Sequence, residues 1–306
     1  MTSGCTKVLP ASARAATSRS CLSLLGTRCT GAILDIPVAY PLRAYLALLN
    51  DLRAAGFCCH SVRDYFSGRG AGYAGTAPCE QETLTAYLRH DVDRLTRRAV
   101  AMAEAEAGRG IHASYYFRCD ARMRFPESAM RRIADLGHEI GFHFESLSRT
   151  RGDRAAALAL FQRELAACRA IVPVTTVAPH GAPLAASSNL DLATSVGSEG
   201  TELLGDAAQM DFTRMLYITD TGGTFGSPYN RRDRPAGQHL SKRVAPEHLA
   251  AWLAESGINQ LTLSCHPERW PASRVGLLQA CITDAAGNAA KMLLHRRVAG
   301  RCRVAG

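Results

Sequence analysis

Apolar positions along the chain follow two periods that alternate. Leu42, Tyr45, Leu46, Leu49 and Leu52 share one helical face; Pro41 suits a first-turn position and Gly56 closes the segment. A Gly-rich loop over residues 67–78 follows. Period-two or short apolar segments then predict strands at residues 83–93, 112–119, 138–145, 172–178, 214–220 and 259–265. Helical spacing fills most of the gaps, at about 95–109, 127–136, 154–171 and 246–256, and a long last helix is expected from roughly residue 272. Such a βα repeat predicts an α/β fold with a parallel sheet. With no Pro/Gly/Ser linker inside the series, residues 36–298 form one domain, its strands rolled into a closed or nearly closed barrel. Residues 1–35 are expected to be a disordered basic leader, with a transit peptide as the alternative, and residues 299–306 a basic tail.

The segment from Thr83 to Asp93 is the most informative. Leu84, Ala86, Leu88, His90 and Val92 point to one face, and Thr85, Tyr87, Arg89, Asp91 and Asp93 to the other. The first set suits a layer of helices. The second suits a barrel lumen near its C-terminal mouth, where active sites of parallel barrels sit. Two carboxylates on one inner face are costly unless they bind a cation or share a proton.

Composition narrows the function classes. The 306 residues carry a net charge of +9, but Lys7, Arg14, Arg19 and Arg28 in an acid-free start and Lys291, Arg296, Arg297, Arg301 and Arg303 in an acid-free end account for that excess. The body is electrically balanced, so no nucleic-acid partner is expected. No apolar run reaches the roughly 18 residues of a membrane span, nor is there a signal-peptide core, which predicts a soluble, cytoplasmic protein. Eleven cysteines without a C-x-x-C pair suggest neither a disulfide framework nor a thiolate metal site. Gly70 to Gly75 fits G-x-G-x-x-G, yet no strand leads into it, so it is expected to be a loop.

The run Gly137-His138-Glu139-Ile140-Gly141-Phe142-His143-Phe144-Glu145 has its histidines five apart, which does not fit the helical zinc-protease motif. On a strand, His143 and Glu145 face the same way and His138 the opposite way. His143 and Glu145 are thus candidate ligands, and His138 a structural residue near the helix-to-strand turn.

Arg89-His90-Asp91-Val92-Asp93, the Gly137–His143 segment, Ala178-Pro179-His180-Gly181 and Cys265-His266-Pro267-Glu268-Arg269-Trp270 occur in that order, each at a strand end. This series resembles the polysaccharide deacetylase family, the NodB-like esterases, in a divergent D-x-D form, over roughly residues 40–270. The resemblance implies a distorted (β/α)7 barrel, with Asp91 as catalytic base, Asp93 and His143 as metal ligands and His266 as catalytic acid. Asp220 matches the acid that orients that histidine, with a turn-forming role before Thr221-Gly222 as its alternative. Two positions depart from the family pattern: Leu147 stands where a second metal histidine is usual, and Val177 where an arginine is usual. Glu145 and His180 are the candidate third ligands, Glu145 placed first, and Arg89 is the candidate partner for Asp91.

The resemblance implies a metal-dependent deacetylase that cleaves an amide carbon–nitrogen bond on an amino sugar or glycan precursor; the N and O ligands suit a divalent cation, with zinc as the default and cobalt, nickel or manganese as alternatives. A backbone N–H near His180 is expected to add oxyanion stabilisation. Two Trp, nine Tyr and nine Phe leave no sign of a stacking platform for a long polymer. A non-sugar amide is an alternative substrate, and a catalytically degenerate barrel binding a glycan or a protein is the alternative from another class.

Overall fold

The computed structural model describes residues 39–68, 84–192, 201–230, 233 and 235–304, the last twelve as backbone only. The expected leader and the Gly70–Gly75 loop lie outside the described residues. Helix α1 (Leu42–Ala54) buries Tyr45, Leu48, Leu49 and Leu52 on one face, as its spacing requires. Gly56, at φ 94, supplies the left-handed residue that turns the chain into β1 (Cys58–His60). The short α2 (Val62–Phe66) is started by a capping box between Ser61 and Asp64. The repeat continues through β2 (Thr85–Val92), α3 (Thr96–Ala107), β3 (Ser114–Phe117), α4 (Glu127–Asp135) and β4 (Glu139–Phe144). It runs on through α5 (Ser146–Arg149), α6 (Arg154–Arg169), β5 (Thr176–Pro179), β6 (Gly205–Asp206) and β7 (Leu216–Thr219). The series closes with β8 (Gln238–His239), α7 (Pro246–Glu255), β9 (Gln260–Cys265) and α8 (Arg274–Val304). Residues 299–304, expected as part of a tail, thus continue the last helix.

Every strand pairing is parallel, in the order β6-β5-β4-β3-β2-β9-β7-β8, with β1 beside the start of β2. The sheet is curled into a half-barrel. The α/β class and the curled, barrel-like parallel sheet agree with the sequence pattern; among the described residues no pairing joins β6 to β8, so the sheet is open there. Those two strands are two residues long and lie in stretches with no alternating pattern. The predicted strands are also shorter than expected, most by one to three residues at an end, because the flanking polar residues enter loops rather than ladders. No helix among the described residues is long and apolar enough to cross a membrane.

Strand parity sorts the core into two clusters. Ala86, Leu88 and Val92 of β2, Leu216 and Ile218 of β7, and Leu261 and Leu263 of β9 pack with α1, α3, α6 and α7 in the larger one. The opposite faces supply Tyr87, Tyr116, Ala178 and Tyr217, which pack with Met210, Phe212 and Met215 in the smaller one. On β4 this inner face carries Gly141, where a Cβ would come within 2.3 Å of the Tyr116 ring. Only glycine leaves that aromatic its place. The smaller cluster forms an apolar floor, and above it the same faces turn polar.

Candidate functional site

Each functional side chain lies at or just beyond the carboxyl end of a parallel strand, the end at which open α/β sheets and parallel barrels collect their chemistry. Asp91 ends the inner face of β2 and Asp93 follows it; His143 is on β4, His180 follows β5, Asp220 follows β7 and His266 follows β9. Beyond Asp93 the chain turns sharply at Leu95, which takes the left-handed conformation (φ 51) before α3.

Arg89 and Asp91, two apart on one strand face, form a buried fork. Nε donates to Oδ1 and Nη2 to Oδ2, both at 2.8 Å. The guanidinium rests 5.5 Å from the centre of the Tyr116 ring. It also faces Asp233, a buried carboxylate that accepts hydroxyl hydrogen bonds from Tyr217 at 2.6 Å and from Thr219 and Thr221 at 2.7 Å. Against its burial, Arg89 and His266 bring Asp233 down to about 2. Arg89 is therefore fixed from two sides, and through it so is Asp91.

Asp93, His143 and His180 bring one ligand atom each within 4.8 Å of one another. The distance is 3.7 Å from His143 Nε2 to Asp93 Oδ1 and 3.6 Å from His180 Nε2 to Asp93 Oδ2. Both exceed a hydrogen bond. Zinc–nitrogen and zinc–oxygen bonds of about 2.0–2.2 Å put tetrahedral ligand atoms about 3.3–3.6 Å apart, so the group is spaced for a small cation. Asp93 Oδ1 is buried without a hydrogen-bond partner. The His143 Nδ1–H donates to the Ala178 carbonyl at 3.0 Å, which leaves Nε2 as the lone-pair nitrogen facing the aspartates. Burial pushes the His143 ring down to about 4 even beside Asp91 and Asp93, so it is neutral and able to coordinate at pH 7. His180 goes the other way: against its burial, Asp93 and Glu145 raise it to about 9. Without a metal, a proton on His180 supplies the positive charge that the carboxylates demand; a bound cation would displace it. Donor types, spacing and the unpartnered oxygen all fit a divalent metal.

The second half of the site is tied shut. His266 Nδ1–H donates to Asp220 Oδ1 at 2.6 Å and its backbone N–H to Oδ2 at 3.0 Å. Asp220 also accepts from Trp270 Nε1 at 2.7 Å and from Arg269 Nη1 at 3.1 Å. Burial and Arg269 work to lower the His266 pKa, but Asp220 prevails and raises it to about 9. The ring is thus an imidazolium at neutral pH, with Nε2 outside the bond to Asp220.

The structure brings Arg89, Asp91, Asp93, His143, His180, Asp220 and His266 to one end of the sheet. Glu145, placed first as third ligand, falls outside the three-residue group and stands 3.3 Å behind His180 Nδ1, where Arg118 Nη2 holds it at 2.7 Å. His180 takes the inner position because β5 follows the same parity as β4: His143 pairs with Ala178, and His180 is two residues on. The His180 N–H is not free for an oxyanion, since it donates to the Phe144 carbonyl at 2.8 Å. His138 is structural, as its parity indicated: it donates from Nε2 to the Ala103 carbonyl at 2.9 Å and accepts the Ala113 N–H at 3.1 Å. Leu147 and Val177 are buried in the larger core cluster.

Three residues of the site went unnoticed in the sequence. Arg118 continues the alternation of Ser114 and Tyr116 and is legible by the rule that finds Asp93. Asp233 lies in an irregular stretch with no pattern to mark it. Glu268, beside His266 in chain order, is buried with Oε2 unpartnered, and burial and Asp93 raise it to about 7.

Neither any protein-family model nor any curated protein matches this chain.

Proposed function

We propose that this chain is a metal-dependent hydrolase of the polysaccharide deacetylase type, removing an N-acetyl or similar acyl group from an amino sugar or glycan precursor. One observation carries the proposal: an incompletely satisfied Asp-His-His group shares the carboxyl end of a curled parallel sheet with an Arg-held aspartate and an Asp-held imidazolium. That is the equipment amide hydrolysis requires: a cation site, a base and an acid. The distorted (β/α)7 barrel of that family is the finer form of the fold that this reading implies. Both departures from the family pattern have a candidate substitute. On this reading His180 serves as the ligand that Leu147 is not, and Arg89 serves as the guanidinium that Val177 is not.

A divalent cation on Asp93, His143 and His180, zinc by default for this donor set, would polarise the amide carbonyl and make water more acidic. Asp91 takes the proton from the attacking water as its oxygen bonds to the carbonyl carbon. The Arg89 fork stops the carboxylate from rotating during that transfer. As the carbon–nitrogen bond breaks, His266 Nε2 gives its proton to the departing amine, and the acyl group leaves as a carboxylate. Asp220 stabilises the imidazolium before transfer and fixes the tautomer after it.

The test is acetate release by zinc-loaded protein over N-acetylated sugars, nucleotide sugars and simple N-acetyl amides, with Asp91→Asn in parallel. Release by the wild type, lost in the variant, supports the hydrolase; stoichiometric metal with no release from any compound favours a barrel that only binds.

A further inference from the structure

An open cleft of about 680 Å³ adjoins the metal group, sharing Asp93 with it. Arg94, Arg118 and Arg124 line it against two carboxylates, Asp93 and Asp120. The two acids offset two of the three arginines, so the lining keeps one net positive charge. Asp93 faces the histidines, and Asp120 already accepts the backbone N–H groups of Arg122 and Arg124 as well as the Arg124 side chain at 2.6 Å. Arg118 is held by Glu145, while Arg94 is half-exposed and has Glu268 no nearer than 3.5 Å. The mouth also receives the start of α3 through Thr96. That helix has no side-chain cap and no acid in its first turn, which holds Arg97 and Arg98 instead. Cations at a helix N-terminus oppose the helix dipole, and the uncapped N–H groups add to the positive field. Phe125 and Pro126 supply an apolar wall on the same cleft.

We propose that this cleft is a subsite for an anionic group, a phosphate or a carboxylate carried by the substrate, beside an apolar wall suited to a sugar ring. That it binds a substrate rests on the hydrolase reading; that it binds anions does not. Guanidinium forks match either oxyanion in pairs of hydrogen bonds, and partly exposed ones exchange their present partners at little cost.

The test is calorimetric binding to the metal-free full chain, so that neither turnover nor coordination to metal contributes. The probes are N-acetylglucosamine, its 1-phosphate and N-acetylmuramate. At low salt, at least one of the anionic sugars is expected to bind about tenfold or more tightly than the neutral one. Arg94→Gln with Arg124→Gln, and separately high salt, are each expected to remove most of that preference. Which anion gains decides between phosphate and carboxylate. Equal binding of all three sugars, no binding of any, or a preference that survives the double substitution overturns the proposal. Its failure is distinct from that of the hydrolase: an anion preference without acetate release refutes only the enzyme, and acetate release without a preference refutes only the subsite.

Discussion

The two halves of the site are built from the same residue types and finished differently. Around Asp220, four donors converge on one carboxylate at 2.6–3.1 Å and hold the His266 ring in a single orientation. Around Asp93, the histidine nitrogens stop at 3.6–3.7 Å, and Oδ1 has no hydrogen bond although it is buried. Buried polar atoms are rarely left so unless something external completes them. The contrast separates a fully hydrogen-bonded imidazole from a group with room for a cation.

The largest expected effect breaks the unsatisfied half. Asp93→Ala, His143→Ala and His180→Ala each lose stoichiometric zinc, measured by elemental analysis after gel filtration, with the fold retained by circular dichroism. Next comes turnover: His266→Ala and Asp91→Asn keep their metal and lose at least about a hundredfold in rate, the low end of what a general acid or base contributes. Glu145→Gln sharpens the comparison, since it removes a charge from behind His180 without touching the ligand group. Its zinc affinity is expected to fall by about 10- to 100-fold, as is typical when the partner of a ligating histidine changes; competition with a chromophoric chelator reads it.

The smallest effect concerns the finished half. In the metal-free protein, an NMR titration of His266 is expected to show a midpoint near 9, above the ordinary 6.5. Asp220→Asn should bring it down, because burial and Arg269 are then opposed mainly by Asp93. The sign for stability follows from the raised value. The contribution of this pair is full below pH 6.5 and disappears as pH rises through about 9. Urea melts of wild type and Asp220→Asn should therefore converge over that interval.

How far the sequence reveals all this depends on periodicity. Alternation on β2 exposes Arg89, Asp91 and Asp93 together, and on β4 it separates His143 from His138, because a period of two fixes the face of every residue in a strand. The same rule places Glu145 toward the site and ranks it ahead of His180. Parity alone cannot say how deeply β5 lies, and the β4–β5 register decides that His180 stands in front. Where the chain is irregular the signal disappears. Asp233 is found by three hydroxyls and a guanidinium gathered from β2, β7 and the loop after β7, a convergence with no sequence spacing to announce it. The open seam between β6 and β8 is likewise invisible in the sequence, since both strands are too short to show a period.

The central claim is that Asp93, His143 and His180 hold one divalent cation. Isothermal titration of the metal-free full chain with zinc, in wild type and His180→Ala, tests it most directly. The account predicts one equivalent bound by the wild type with release of protons, because His180 must give up its proton to coordinate, and no such site in the variant. A wild type that binds no zinc, or a variant that binds it with unchanged stoichiometry and affinity, would contradict it.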